Sequence, residues 1–192
     1  MELIREPPIV SGRRGIRTAR NLIAVVGAYA AICRELGGAL DFPGAPGAHT
    51  ALSEITDCSM LARFTFWCMT EPNAAGRAFN ITNGDLFRWS DLWPWLADYF
   101  GLKTGVVRPM KLERWMADKC PVWQRSAERH GLRYPDIADV ALWPYGDFVW
   151  NIDWDIVSSM TQARLAGFHD IEDAGDQCFR DLDAYRELKV LP

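Results

Sequence analysis

The sequence predicts one predominantly helical domain of the α+β class, and two observations lead to that prediction. Apolar residues recur at helical spacing along most of the 192 residues, whereas strand-like segments are few, short and scattered. A doubly wound sheet needs several strand–helix units, and at most one is plausible, at the N-terminus. We therefore expect a single domain over 1–192, with a residual strand and linker at 1–17 and a mainly helical portion at 18–192.

The most apolar segment predicts the first helix. This helix is expected to begin after Thr18, a cap-type residue, and to end near Leu36, before two glycines. Its interior is small and apolar on every side, which is typical of a helix that packs against several neighbours.

The later helices are delimited by cap-type residues, glycine and proline. Asp57, Ser90 and Asp155 are predicted N-caps, and Pro94 is placed in the first turn of the helix that Ser90 begins. Helices are expected at 57–69, 90–101, 111–130 with an interruption at Pro121, 136–142, 155–165 and 174–188, and short strands at 78–82 and 105–108.

Composition disfavours several classes of function. The 21 Lys and Arg residues against 25 Asp and Glu residues give a net charge of −4, which disfavours nucleic acid as a partner. Five cysteines without a CxxC pair, and three histidines far apart, predict reduced thiols and no zinc site. The apolar segments are too short to span a membrane and the N-terminus does not resemble a signal peptide, so we expect a cytoplasmic protein.

Familiar catalytic motifs are missing from the sequence. It contains no GxGxxG or GxxGxxG dinucleotide turn, no phosphate-binding GxxxxGK[ST] loop and no GxSxG nucleophile elbow. Two Tyr–Lys pairs at helical spacing, Tyr99 with Lys103 and Tyr185 with Lys189, could place a phenol beside an ammonium. We attribute both pairs to chance and to charges on the protein surface.

Aromatic residues are the most informative feature. Of nine tryptophans, Trp89 and Trp93 are predicted to lie in the core. A second group is interrupted by Pro144 and Gly146 and could form the wall of an apolar pocket. Its members are Trp143, Tyr145, Phe148, Trp150 and Trp154.

Five segments, taken together and in order, resemble one family. They are VGAYAAICREL (26–36), DFPG (41–44), AFNITNGDLFRWSDLWP (78–94), WPYGDF (143–148) and LKVLP (188–192). From roughly Leu3 to Pro192 the sequence is similar to the C-terminal half of the progesterone 5β-reductase/iridoid synthase-like enzymes, which are extended short-chain dehydrogenase/reductases.

The resemblance implies the substrate-domain portion of an α/β reductase. In that family a glycine-rich Rossmann half, without a counterpart here, binds NADPH and carries the catalytic tyrosine and lysine. Hydride passes from NADPH to the β-carbon of an enone or enal, while the phenol and the ammonium stabilise charge on the oxygen. The resemblance thus implies no catalytic residue in this chain and no NADPH binding by this chain alone.

The resemblance also implies three kinds of site residue. The family's R-P-x-x-I-x-G turn beside the nicotinamide matches Arg5 to Gly12 imperfectly and makes Pro8 and Ile9 the cofactor-side residues. Arg20 replaces a pocket methionine, so it would favour an anionic ligand or face solvent. Tyr145 corresponds to the aromatic residue that closes the substrate pocket, with Phe148 as its neighbour.

Three functional hypotheses remain open from the sequence. The first is a fragment or half of a split reductase for a small apolar carbonyl compound, with an exposed apolar face around residues 3–30 that awaits its other half. The second is a stand-alone non-redox module, a cyclase, an isomerase or a ligand carrier, and is motivated by the arginines between 13 and 20. It is expected to form a homodimer. The third is an inactive remnant.

Overall fold

The structure, a computed structural model, describes Val10–Ser11 and residues 21–192. Its helices are α1 (Leu22–Glu35), α2 (Pro46–Thr50), α3 (Cys58–Thr70), α4 (Trp89–Tyr99), α5 (Leu112–Met116), α6 (Cys120–His130), α7 (Trp143–Val149), α8 (Thr161–Ala166) and α9 (Ala174–Glu187). Its strands are β1 (Val10–Ser11), β2 (Leu40–Phe42), β3 (Leu52–Ser53), β4 (Thr56–Asp57), β5 (Phe87–Arg88) and β6 (Thr104–Val107).

Helix α1 lies at the centre of the fold. Every residue from Leu22 to Cys33 is buried, because α6, α7 and α9 pack around it. The expectation of an exposed apolar face around residues 3–30 is therefore wrong for 21–30, and the rest of that range, apart from the strand β1, lies outside the described residues. The expectation that this helix packs on more than one side is confirmed.

The start of α1 differs from the sequence prediction. Asn21, not Thr18, is the N-cap, and its Oδ1 accepts a hydrogen bond from the Ala24 amide at 3.1 Å. An asparagine oxygen at this position satisfies one of the amides that a helix leaves unpaired at its start.

The strands form three separate pairs in the described part of the chain. β1 runs parallel to β4, β2 runs parallel to β6, and β3 is antiparallel to β5. Strands of two to four residues cannot form a large sheet, in agreement with the sequence analysis.

Several predicted elements are shorter than expected or are replaced. No strand forms over 78–82, the segment 136–142 holds only a 3₁₀ turn at Ile137–Asp139, and α8 begins at Thr161 rather than after Asp155. The Asp155 carboxylate instead accepts a hydrogen bond from the Leu52 amide at 2.8 Å, so it holds a distant segment and caps no helix.

Helix α4 begins earlier than predicted. Arg88 occupies its N-cap position because β5 leads directly into the helix, and Pro94 consequently lies inside the helix instead of in its first turn. Proline there removes one backbone hydrogen bond. The helix still forms because Trp89, Leu92 and Trp93 are buried.

An aromatic cluster joins α4 to its neighbours. Trp93 lies edge-on to Phe42 at 5.0 Å and to Trp150 at 5.5 Å, measured between ring centroids, and its Nε1 donates to the Leu40 carbonyl at 3.0 Å. Trp89 contacts the same rings. The prediction that Trp89 and Trp93 lie in the core is confirmed.

Candidate functional site

The sequence-predicted pocket residues Tyr145 and Phe148 lie on helix α7, which the sequence analysis did not predict. Pro144 falls in its first turn, where proline is tolerated, so it does not prevent the helix. Gly146 faces α1: a Cβ at this position would lie 2.9 Å from the Val25 Cγ1 atom. Glycine therefore allows α7 to lie directly on the central helix.

Tyr145 and Phe148 project from nearly the same side of α7, because they are three residues apart. Tyr145 is only 8% exposed and belongs to the core, whereas Phe148 is 56% exposed. The pair thus combines a fixed phenol with an aromatic ring that is free to contact another molecule.

The carboxylate of Asp147 fixes α7 relative to α5. It accepts hydrogen bonds from the amides of Leu112 at 2.6 Å and Glu113 at 3.2 Å, so it caps the start of α5 from a different helix. Sequence analysis missed this residue, although an acidic residue inside an aromatic segment was the available signal.

Three of the predicted site residues are not placed. Pro8, Ile9 and Arg20 lie outside the described residues. The structure therefore shows Tyr145 and Phe148 together without showing whether the cofactor-side residues or Arg20 approach them.

Neither Tyr–Lys pair has the features of a general acid. Tyr99 donates a hydrogen bond to Asp183 at 2.6 Å, and burial together with that contact raises its pKa to about 12. Burial likewise raises the pKa of Tyr185, which is fully buried beside Asn21. The expectation that this Tyr–Lys pair lies on the protein surface is therefore wrong for Tyr185. A raised pKa is the opposite of what an adjacent ammonium would produce.

The segment 82–85 centres on a buried asparagine. The Asn83 Oδ1 atom accepts from the Asp57 amide at 2.8 Å, and its Nδ2 donates to Gln177 Oε1 at 2.7 Å. Asp57 occupies the N-cap position of α3 as predicted, but its carboxylate makes no capping bond to a helix amide. It pairs instead with Arg180 at 3.2 Å. These bonds join β4, α3 and α9.

The N-termini of the three longest helices in the described part of the chain do not fit the pyrophosphate of a dinucleotide. Such a site needs open backbone amides at the helix start. Asn21 already caps α1, and the Asp173 carboxylate caps α9 by accepting from the Asp176 amide at 2.8 Å. At α3 the Asp57 side chain, already paired with Arg180, occupies the N-cap position that a phosphate would approach.

Other kinds of site receive no support. Within the described residues no group of His, Cys, Asp and Glu is arranged to hold a metal ion, and no helix there is long and apolar enough to cross a bilayer. All five cysteines are free thiols, in agreement with the prediction.

The chain is similar to named plant enzymes. It is 32% identical over 176 residues to an (S)-8-oxocitronellyl enol synthase of Nepeta racemosa, and the match covers 90% of this chain and 45% of that enzyme. It is 27% identical over 175 residues to the 3-oxo-Delta(4,5)-steroid 5-beta-reductase of Arabidopsis thaliana, with the same two coverages. The chain thus spans less than half the length of these relatives.

A solved structure shares the fold of this chain, and a family model identifies its family. The crystal structure of Bordetella bronchiseptica WbmG in complex with NAD and UDP has a TM-score of 0.52 and 16% identity, and the match covers 96% of this chain and 46% of that chain. The model of the PRISE-like Rossmann-fold domain matches residues 6–192. Because that match includes nearly every residue, the chain belongs to the PRISE-like family, as the five sequence segments had indicated.

Proposed function

We propose that the described residues are the substrate-binding portion of an NADPH-dependent reductase for activated C=C bonds. The observation that carries the proposal is the family match over residues 6–192 together with the aromatic pair that α7 presents. The relatives named as steroid 5-beta-reductase and oxocitronellyl enol synthase support an enone or enal as the substrate class.

In this proposal the chain binds and orients the carbonyl compound. Phe148 covers the apolar body of the ligand, and Tyr145, held in the core, fixes the depth to which the ligand enters. NADPH supplies hydride when bound. We assign its binding, and the tyrosine and lysine that stabilise the oxygen charge, to a region other than residues 21–192, whose principal helix N-termini do not fit a pyrophosphate.

Calorimetry on the purified chain tests this proposal. Progesterone, an enone, should bind without NADPH, and NADPH alone should give no saturable heat. Phe148→Ala should weaken progesterone binding about tenfold, since a buried aromatic contact is worth roughly 1–2 kcal/mol. The matched control is Trp95→Ala, which removes another exposed ring, on α4.

Three results would contradict the proposal. They are saturable NADPH binding, absence of progesterone binding, and equal binding by the wild type and Phe148→Ala. The redox part is tested by adding the cofactor-binding half of the Nepeta racemosa relative and following NADPH absorbance. We expect NADPH to be consumed only when both an added enal and this chain are present.

A second candidate function is a stand-alone non-redox module, and the burial of α1 favours it. Since the described residues enclose their own central helix, they need no partner to cover it. This candidate predicts that an added enal is cyclised or isomerised without loss of NADPH, which mass spectrometry of the products would detect. We propose a homodimer in this case, formed through a surface other than α1, and light scattering would measure its mass.

A further inference from the structure

A cleft lies where the parallel strands β2 and β6 end. Both strands lead into loops at their carboxyl ends, residues 43–45 and 109–111, and the last turn of α7 closes the third side. Clefts beyond the carboxyl ends of parallel strands are frequent ligand sites in α/β proteins. The cavity is about 360 Å³, which is large enough for a small organic molecule.

The walls of this cleft are tied to one another by backbone hydrogen bonds. The Ala45 amide donates to the Trp150 carbonyl and the Met110 amide to the Pro43 carbonyl, each at 2.9 Å. A Cβ on Gly44 would lie 2.3 Å from the Trp150 carbonyl oxygen, so only glycine permits this close approach. The shape of the cleft is consequently fixed before any ligand arrives.

The cleft combines an apolar lining with unused hydrogen-bond donors. Pro43, Pro109 and Met110 contribute apolar surface. The exposed side chains of Lys111 and Asn151 also line it and have no hydrogen-bond or ion-pair partner within residues 21–192. The carboxylate of Asp147 accepts hydrogen bonds from two amides at the start of α5, which offset part of its charge. The Lys111 ammonium and the Asn151 amide supply the donors that favour a negatively charged acceptor.

This cleft is separate from the aromatic pair on α7. Asp147 and Trp150 line the cleft and follow Tyr145 and Phe148, respectively, by two residues. Two residues correspond to a rotation of about 200° around a helix, so the two pairs face nearly opposite directions. A ligand in the cleft would therefore not displace one that contacts Phe148.

We propose that this cleft binds a small organic carboxylate with an apolar body. The carboxylate is recognised by the Lys111 ammonium and the Asn151 amide, and the apolar body lies against Pro43, Pro109 and Met110. The proposal does not depend on the reductase assignment, because it uses neither NADPH nor the aromatic pair.

Benzoate is the probe, titrated into the ¹⁵N-labelled chain by NMR. We expect saturable shifts at residues 43–45, 109–111 and 147–151. Lys111→Gln should weaken benzoate binding about three- to tenfold, as expected for the loss of a partly exposed ion pair. Lys103→Gln, which removes another exposed lysine outside the cleft, should bind benzoate like the wild type.

Benzamide separates recognition of charge from binding to any apolar surface. It has the shape of benzoate without the negative charge, and we expect it to bind at least threefold more weakly. The proposal is overturned by equal affinity for benzoate and benzamide, by unchanged affinity in Lys111→Gln, by shifts confined to another surface, or by the absence of saturable binding.

Discussion

At the scale of single residues, the structure depends on polar side chains that bond to distant backbone. Asn83 is the clearest case, because it is fully buried and both ends of its amide are used. Asp147 and Asp155 act similarly, each accepting from an amide far away in the sequence. These side chains connect segments that have few backbone hydrogen bonds of their own to fix their positions.

Replacing Asn83 with alanine should destabilise the protein strongly. The Asp57 backbone amide and the Gln177 side-chain oxygen would each lose this hydrogen bond in the protein interior. Each unsatisfied buried group costs about 1–3 kcal/mol. We expect urea denaturation to show a loss of at least about 2 kcal/mol. Asn80→Ala, which removes one bond from a half-buried side chain to the Ser159 carbonyl, should cost less than half as much.

Sequence reasoning could not assign the partners of these residues, because nothing local shows which distant group each of them bonds. Asp57 was expected to cap α3, and it does occupy that position, but its carboxylate pairs with Arg180 from α9. Asp155 looks like a helix cap by its type, whereas its partner, Leu52, is more than a hundred residues away. Partners that are distant in sequence decide such roles, and residue type alone cannot reveal them.

At the scale of elements, periodicity predicted α1 and α9 well, whereas the longest predicted segment, 111–130, forms two helices, α5 and α6. α1 and α9 lie within four residues of their predicted bounds, since each buries a continuous face. Helix α7 was missed because Pro144 and Gly146 resemble helix breakers. Pro144 lies in the first turn, where proline is tolerated, and Gly146 is the point of contact with α1. Segment 78–82 alternates like a strand but forms only an isolated bridge at Asn80 in the described part of the chain.

The contact between α7 and α5 can be tested through Asp147. Asp147→Ala should lower the free energy of unfolding by about 1–2 kcal/mol, because two amides at the start of α5 lose their acceptor. Asp147→Asn should recover part of this loss, since its amide oxygen can still accept one bond.

Asp98→Ala is the control for this test, because it removes an exposed carboxylate from α4. Thermal unfolding followed by circular dichroism gives the comparison. Equal melting temperatures for Asp147→Ala and Asp98→Ala would show that the cross-helix cap contributes nothing.

At the scale of the whole molecule, the described residues form two hydrophobic clusters of unequal size. The larger surrounds α1 and contains the aromatic cluster of α4. The smaller cluster lies between α3 and α8, and Phe64 of α3 contacts the rings of Phe79 and Phe168 within it. The family was predictable from the sequence, because five separate segments agreed with it. The enclosure of α1 was not, since it depends on helices distant in the chain.

That enclosure has a consequence for hydrogen exchange. A helix covered on all sides cannot expose its amides unless its neighbours separate, so the amides of Ala28 to Ile32 should exchange only when the whole fold opens. In α3 only Met60 and Phe64 are buried, and its amides should exchange through smaller openings. Native-state exchange measured by NMR should therefore give α1 a free energy equal to that of global unfolding. A lower value for α1 would mean that the central helix can be released while the rest of the protein remains folded.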